Sequence, residues 1–106
     1  MANSDYPIRM RATLKDGVLQ VKALLTHPMD SGLTKNAAGN LLPANHLVEV
    51  IVRLNGDVVV RVDTGAGLAA DPLFGWRFGG VKSGDRVTVS WRDNLGLEKS
   101  ADVLVS

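Results

Sequence analysis

Short runs in which apolar and polar residues alternate, each closed by a turn signal, constrain the fold of this chain more than any other feature. Successive side chains of an extended strand point to opposite sides, so such a run places its apolar residues on one face. The runs at 8–14 and 19–25 flank Asp16-Gly17, which is typical of a tight hairpin turn. Asn55-Gly56, between the runs at 48–54 and 58–62, indicates a type I′ hairpin turn, whose two central residues need positive φ. The pattern predicts antiparallel hairpins.

Three further alternating runs follow at 74–78, 87–91 and 97–105, with Lys99 interrupting the apolar row of the last one. The total is about seven short strands, with turn signals at the spacing of a sandwich. We therefore predict an all-β fold, an immunoglobulin-like β-sandwich of about seven antiparallel strands, formed by a single domain over residues 1–106. A five- or six-stranded barrel is the alternative, because strand count alone does not distinguish the two folds.

The aromatic residues of the later runs are expected in the core. Phe74, Trp76 and Phe78 recur with a period of two and share one strand face. They either fill the core or form a flat exposed platform, and core packing is favoured because a domain with 5% aromatic residues needs their volume. Trp91 ends a regular alternation and is expected in the core as well.

Composition excludes several classes of partner. A chain of 106 residues is large enough for one core and too small for two. The net charge is +1 with acids and bases interspersed, and no basic patch alternates with aromatics, so nucleic acid is not an expected partner. No apolar run approaches the ~20 residues of a membrane span. The first residues lack the apolar stretch of a secretory signal, so we expect a cytosolic chain or one exported by a route it does not encode.

The sequence contains no cysteine, which excludes disulfides, zinc–thiolate and iron–sulfur sites and a cysteine nucleophile on this chain. Its two histidines, His27 and His46, flank a connection of about 20 residues, a length that is uncommon unless functional. With Met29 they could bind Cu(I), which favours imidazole and thioether ligands. Their spacing is not diagnostic, and the alternative is that both histidines cap strand ends.

Catalysis on this chain is not indicated. Hydrolysis needs a base beside a nucleophile, or paired carboxylates in a cleft. Asp30-Ser31 and Asp63-Thr64 contain suitable atoms without a recognised arrangement, and small polar residues near turns usually cap them. We predict a protein that is not an enzyme, with no catalytic residue, no metal ligand and no cofactor.

The strand faces opposite the core also carry apolar residues. Alternation places Leu47, Ile51 and Val59 on the outer side of the central hairpin, and Val18 and Leu24 on the outer side of the second strand. Apolar residues on both faces indicate a covered surface, for which a protein partner is the economical explanation. Single surface aliphatics, which are normal, are the alternative. The expected inward row of the central hairpin is Val48, Val50, Val52, Leu54, Val58, Val60 and Val62.

Several segments carry the motifs of a known family. They are I-R-M-R-A at Ile8–Ala12, H-P-M-D-S-G at His27–Gly32, K-N-A-A-G-N at Lys35–Asn40, L-P-A-N-H-L at Leu42–Leu47, F-G-W-R-F-G-G at Phe74–Gly80 and G-D-R-V-T-V-S-W-R-D-N-L-G at Gly84–Gly96. Over nearly its whole length the chain resembles the SoxZ family, the cysteine-free subunit of the thiosulfate-oxidation (Sox) sulfur carrier. Asp71-Pro72-Leu73 departs from the Asn-Pro-aromatic sequence that the family often has there.

The resemblance implies an immunoglobulin-like sandwich that forms a heterodimer with a SoxY-like protein. That partner holds the working cysteine on a glycine-rich C-terminal arm, and sulfur intermediates travel on this thiol between the enzymes of the pathway. Those enzymes attach thiosulfate, hydrolyse the sulfonate and oxidise the sulfane sulfur, and they meet this chain through the complex. The resemblance also implies a periplasmic location, reached by co-export with the signal-bearing partner. A homodimer is the expected alternative state of the isolated chain.

In this interpretation the long connection is a recognition or arm-supporting loop. His27, Met29, Asp30 and His46 are expected to shape the surface near the partner's arm or its client enzymes, with Met29 as an adaptable apolar contact. Ile51 and Val59 are expected in the partner interface. A copper-binding periplasmic sandwich using His27, Met29 and His46 remains the second hypothesis. A generic adhesion or accessory domain is the third.

Overall fold

The computed structural model describes residues 7–27, 29, 32–33, 35, 37–41, 44–65, 68 and 70–106. The strands in this part are β1 (Ile8–Lys15), β2 (Val18–Leu25), β3 (Leu47–Leu54), β4 (Asp57–Asp63), β5 (Leu73–Gly79), β6 (Arg86–Asp93) and β7 (Glu98–Leu104). The described residues include no helix that is long and apolar enough to cross a membrane. The prediction of an all-β chain with about seven strands is confirmed.

The strands form two sheets. One contains three strands in the order β1-β2-β5, and the other contains four in the order β4-β3-β6-β7. Every neighbouring pair is antiparallel. The chain passes from one sheet to the other after β2, after β4 and again after β5, so each sheet unites strands that are distant in sequence. This is the sandwich arrangement that the sequence predicts.

The two predicted hairpin turns have the backbone geometry that their residues favour. Asp16 and Gly17 connect β1 to β2 with φ of 54° and 76°. Asn55 and Gly56 connect β3 to β4 with φ of 51° and 88°. Positive φ at both central positions is the requirement of a type I′ turn, which asparagine, aspartate and glycine tolerate best. Local sequence therefore sets these two hairpins.

Alternate residues of the strands face each other between the sheets. The inner row of β2, Leu19, Val21, Ala23 and Leu25, is fully buried. The three aromatics of β5 are half-buried against this core, and Trp91 of β6 is almost fully buried. Phe74 and Trp76 stack with their ring planes 3° from parallel and their centroids 5.6 Å apart. The aromatic residues thus pack in or against the core, as expected.

Two residues of the central hairpin have the opposite orientation to the expected one. Leu47 is fully buried, because the pairing of β3 with β6 shifts register between Leu47 and Glu49 and turns its side chain inward. Val58 is 56% exposed, because the pairing of β3 with β4 shifts register at Val52 and Arg53. A bulge inserts one residue into one strand, and alternation beyond it changes face. The expectation was wrong at both positions.

Leu47 and Val58 provide a matched test of this correction. We expect Leu47→Ala to lower the free energy of unfolding by about 2–5 kcal/mol, because it removes a buried side chain and leaves a cavity. Val58→Ala should change it by less than about 0.5 kcal/mol, since the side chain is largely in solvent. Urea unfolding of the two variants measures both values, and the reverse order would contradict the assigned register.

At the end of the sandwich that holds the Asn55-Gly56 turn, Asp85 joins two connections. Its carboxylate accepts hydrogen bonds from the Lys82 backbone N–H at 3.0 Å and from Asn55 Nδ2 at 3.1 Å. Asn55 Oδ1 in turn accepts from the Arg86 backbone N–H at 2.9 Å. The Lys82 N–H and then the Asn55 amide lower the pKa of Asp85 below its ordinary value of 3.8, with a smaller contribution from the Lys82 charge.

A lowered carboxyl pKa in the folded state predicts a stability contribution that is present above the ordinary pKa and is lost as pH falls through the folded-state pKa. We therefore expect Asp85→Asn to lie below the parent in melting temperature at neutral pH. The difference should narrow as the pH falls below 3.8. Thermal melts from about pH 6 to about pH 2 test this. A constant difference across that range would show that ionised Asp85 does not stabilise the fold.

Candidate functional site

The strand termini at one end of the sandwich surround the candidate site. At this end, called the loop end, β2, β4 and β6 finish and β3, β5 and β7 begin. Backbone hydrogen bonds fasten its segments together, from Leu25 N to Pro72 O at 3.0 Å and from Thr64 N to Val48 O at 3.0 Å. The long connection between β2 and β3 leaves from this end and returns to it.

His27 lies two residues beyond β2 and is fully buried. Its Nδ1 accepts a hydrogen bond from the Met29 backbone N–H at 3.1 Å. Its Nε2 lies 3.1 Å from Oδ2 of Asp93. A neutral imidazole has one donor and one acceptor nitrogen, so the Met29 contact fixes Nδ1 as the acceptor. Nε2 therefore carries the proton and donates it to the Asp93 carboxylate.

Asp93, the last residue of β6, is as buried as its histidine partner. While Oδ2 accepts from His27, Oδ1 accepts from the backbone N–H groups of Leu95 at 3.0 Å and Leu97 at 2.9 Å. A buried carboxylate is tolerated only when hydrogen bonds replace its lost hydration. Asp93 has three such donors, and in binding them it orders the turn between β6 and β7.

Asp71 connects the same histidine to the segment before β5. The His27 backbone N–H donates to Asp71 Oδ1 at 3.0 Å, and the Asp71 N–H donates to the His27 carbonyl at 3.0 Å. Asp71 has a φ of 51°, a left-handed conformation that aspartate tolerates better than most residues. Through Asp71 and Asp93, His27 holds the β4–β5 connection and the β6–β7 turn at once.

Met29 continues the network to the start of β3. It is buried, and its Sδ accepts a hydrogen bond from the Leu47 backbone N–H at 3.4 Å. Its φ of 52° is uncommon for a residue other than glycine, asparagine or aspartate and persists only where the surroundings hold it. The His27 and Trp91 rings form a T-shaped pair with centroids 5.1 Å apart and planes at 87°. His27, Met29, Leu47, Asp71 and Asp93 are called the histidine network below.

His46 anchors the return of the long connection. Its backbone N–H donates to Asn94 Oδ1 at 2.7 Å, and its carbonyl accepts from the Asn94 N–H at 2.9 Å. Asn94 Nδ2 also donates to the Ala44 carbonyl at 2.9 Å. His46 Nδ1 lies 3.1 Å from the Leu47 carbonyl, which can only accept, so Nδ1 is the donor there. The half-buried His46 is therefore positioned by the β6–β7 turn.

Residues 33, 35 and 37–41 of the connection, called the excursion, are exposed and lie between Gly32 and Ala44 in sequence. A Cβ at Gly32 would lie 3.2 Å from the Ala44 Cβ, and φ there is 85°, so glycine permits the close approach at its base. Lys35 and Leu41 form an antiparallel bridge across it. Leu33 is 80% exposed and Leu41 is 60% exposed. The excursion thus presents two leucines to solvent above a fixed base.

The site residues predicted from the sequence fall into two groups. His27 and Met29 lie inside the loop end, and His46 lies half-buried on it. Asp30 is outside the described residues. Ile51 and Val59 lie on the outer face of the four-stranded sheet, diagonally across β3 and β4, because Ile51 pairs with Arg61. Their proposed contacts with a partner stay predictions.

The outer face of the four-stranded sheet, called the outer polar face, combines paired charges with few apolar residues. Arg61 Nε lies 3.0 Å from Glu49 Oε2 across β3 and β4. Arg53 donates to Ser90 Oγ at 3.2 Å, and Arg86 forms an ion pair with Asp102 at 2.6 Å. A shallow concavity of about 350 Å³ crosses β3, β6 and β7 on this side. Charges of both signs thus surround Ile51.

Two of the three residues proposed as copper ligands, His27 and Met29, make other contacts in the structure. Both ring nitrogens of His27 and the Met29 sulfur are engaged in hydrogen bonds within the histidine network. No group of three or more histidine, cysteine, aspartate or glutamate residues within the described ranges could hold a metal ion. Copper bound by His27 and Met29 would have to displace these contacts. The arrangement therefore favours a structural role for His27.

Sequence reasoning missed the partners of His27. Asp71 and Asp93 follow it by 44 and 66 residues, and only the pairing of the sheets brings them together. The one local signal was the Asp93–Gly96 turn, in which an aspartate at the first position commonly binds the following backbone N–H groups. Nothing in the sequence indicates that the second carboxylate oxygen binds a histidine.

A comparison with protein families matches nearly the whole chain to a known family. The family model described as Sulphur oxidation protein SoxZ covers residues 8–103. This range contains all of the histidine network, the outer polar face and nearly all of the seven strands. No curated protein matches the chain.

Asp93→Asn tests the hydrogen-bond directions in the network. An asparagine oxygen can serve the N–H groups of Leu95 and Leu97, but its NH₂ group would then face the protonated Nε2 of His27. The ring cannot switch tautomer without opposing its Nδ1 proton to the Met29 N–H. We expect a loss of about 1–3 kcal/mol in unfolding free energy, the effect of an unsatisfied buried group. The exposed Asp102→Asn should lose less than about 1 kcal/mol, and equal losses would disprove the network.

The tautomer can be observed directly. We expect a two-bond ¹H–¹⁵N NMR spectrum at neutral pH to show His27 protonated on Nε2. The Met29 N–H permits no other neutral form while it donates to Nδ1. A neutral ring protonated on Nδ1 would contradict the assigned contacts.

Proposed function

The chain belongs to the SoxZ family, and on that premise we propose that it is the non-catalytic subunit of a periplasmic sulfur-carrier pair in thiosulfate oxidation. Family membership itself gives the chain a role in sulfur oxidation together with SoxY. In the proposal, a SoxY-like partner carries the sulfur intermediates on the cysteine of its C-terminal arm, and this chain is the scaffold. The match over residues 8–103 is the observation that carries the proposal.

The chemistry of the chain supports this division of labour. Covalent sulfur transfer needs a thiolate nucleophile, and the 106 residues contain no cysteine. Within the described residues, the histidine that contacts a carboxylate is His27, which is fully buried and has both nitrogens engaged, so it is not presented to a substrate. A buried His–Asp contact of this kind orders backbone segments and does not activate a nucleophile. The partner supplies the reactive group.

We place the partner interface on the β3–β4 half of the outer polar face. Val59 is 43% exposed there, and Ile51 lies diagonally from it. The Glu49–Arg61 ion pair flanks Ile51. Apolar residues inside a ring of polar groups are the usual composition of a protein interface. In the proposal, the isolated chain uses the same aliphatic residues to form a homodimer when no partner is present.

The loop end is proposed to support the partner's arm and to face its client enzymes. The accessible groups there are the half-buried His46 and the exposed Leu33 and Leu41 of the excursion. The buried His27 and Met29 contribute indirectly, because the hydrogen bonds of the histidine network fix the position at which the connection leaves β2 and enters β3. Asp30, between these elements in sequence, is the further residue proposed for this surface. Co-export with the signal-bearing partner brings the pair to the periplasm.

Co-expression with a SoxY-like protein, followed by size-exclusion chromatography, tests the proposed pair. We expect one peak that contains both chains at equal amounts at micromolar concentration. Obligate pairs of this type bury more apolar surface than transient complexes and survive dilution. Two separate peaks would contradict the proposal.

Val59 and Val18 form a matched pair for locating the interface. Both valines are 43% exposed, but Val59 lies on the outer polar face and Val18 on the outer face of the other sheet. We expect Val59→Asp to weaken partner binding by about tenfold or more, because it places a charge in an apolar contact. Val18→Asp should bind within about threefold of the parent. Calorimetric titration with the SoxY-like partner measures both, and a stronger effect of Val18→Asp would place the interface on the opposite sheet.

A further inference from the structure

The outer face of the three-stranded sheet carries positive charge only. It is called the cationic face. Its outward positions, which alternate with the buried rows of β1, β2 and β5, are Arg9, Arg11, Thr13, Lys15, Val18, Gln20, Lys22, Leu24, Leu73, Gly75, Arg77 and Gly79. Five of these residues are cations and none is an acid. The whole chain has 12 cations and 11 acids, so the fold separates charges that are interspersed in the sequence.

The charges of the cationic face are not neutralised locally. Within the described residues, none of its five cations forms an ion pair, whereas the outer polar face has two. Asp16 lies next to Lys15 in the β1–β2 turn, and Asp71 lies before β5 with Oδ1 bound to the His27 N–H. Both acids are at the ends of the face. Its centre keeps an uncompensated positive potential.

The register places two of these cations directly against each other. Arg11 of β1 pairs with Lys22 of β2, and Lys22 pairs on its other side with Gly75 of β5. Like charges at directly opposed positions of an antiparallel pair are destabilising. Gly75 leaves the third strand without a side chain beside them. The two opposed cations do not stabilise the isolated fold. They would stabilise a bound anionic group, because both could pair with it.

The residues around these cations indicate whether the face would bind a small anion, a nucleic acid or an acidic protein. All five side chains are exposed, and the shallow concavity around Arg9, Arg11 and Lys22 holds about 330 Å³ without enclosing it, so a small anion would stay hydrated. The face has no aromatic side chain on which nucleic-acid bases could stack. It does have an apolar strip beside Arg9, formed by Leu24 and the 66% exposed Leu73 in register. Cations next to an exposed and a half-buried leucine fit a protein surface.

We propose that the cationic face is a docking surface for a second protein, one that presents acidic side chains around an apolar residue. The apolar residue contacts Leu24 and Leu73, and the acidic groups pair with Arg9, Arg11 and Lys22. Opposite potentials accelerate encounter and select partners more than they raise affinity, so the contact is salt-sensitive. This docking surface is inferred from the charges and register of the three-stranded sheet and does not depend on the proposed function, which places the SoxY-like partner on the other sheet. Both surfaces can be occupied together.

NMR titration of the ¹⁵N-labelled full chain tests the proposal. The probe is a glutamate-rich peptide with a central pair of leucines, and the controls are its glutamine counterpart and a single-stranded DNA oligonucleotide. We expect the acidic peptide to shift amide signals of β1, β2 and β5 at low salt, and binding to weaken by about tenfold as the salt rises to physiological strength. The glutamine peptide should not bind.

Two double variants of equal charge change make the test specific. We expect Arg11→Gln/Lys22→Gln to weaken peptide binding by about tenfold and Arg61→Gln/Arg92→Gln on the outer polar face to weaken it by less than about twofold. Removing the opposed like charges should leave the melting temperature unchanged or higher, so unfolding would not account for the loss. Equal effects of the two variants, shifts on the four-stranded sheet, tighter binding of DNA, or no binding at low salt would overturn the proposal.

Discussion

The hydrogen bond between His27 and Asp93 is the contact on which the loop end depends. His27 follows the end of β2 by two residues and Asp93 is the last residue of β6, so this bond joins the two sheets where their connections begin. Each partner also binds backbone groups: the histidine those of Met29 and Asp71, and the carboxylate those of Leu95 and Leu97. Because Met29 accepts from Leu47, the start of β3 is included. One buried polar pair thus holds three connections in place, those between β2 and β3, β4 and β5, and β6 and β7. A buried network that is only partly satisfied destabilises the fold, so losing this pair would cost more than the energy of one hydrogen bond.

This network agrees with the scaffold role proposed for the chain. Loops that are held in one arrangement present a fixed surface to a partner, and preorganised contacts reduce the entropy lost on binding. The two histidines that the sequence offers as candidate ligands are used for this purpose, His27 from inside and His46 at the surface. Family membership and the lack of cysteine agree with this distribution of roles.

The sequence predicts what local chemistry decides. Asp16-Gly17 and Asn55-Gly56 specify their turns, and alternation identifies seven strands and most of the core. It fails at Leu47 and Val58, since a bulge depends on how two strands align and not on either strand alone. The partners of His27 and the cationic face could not be predicted for the same reason, since both depend on how distant strands pair. Arg11, Lys22 and Arg77 are recognisable as outward residues, but only the pairing of β2 with β5 places them on one surface.

The central claim is that this chain is the scaffold of a pair in which the other protein holds the sulfur. Intact-mass spectrometry of the reconstituted pair, after reaction with thiosulfate and the enzyme that attaches it, tests that claim most directly. The account predicts a mass increase on the cysteine-bearing partner alone, and loading that is lost when this chain is omitted. A sulfur adduct on this chain, or equal loading of the partner without it, would contradict the account.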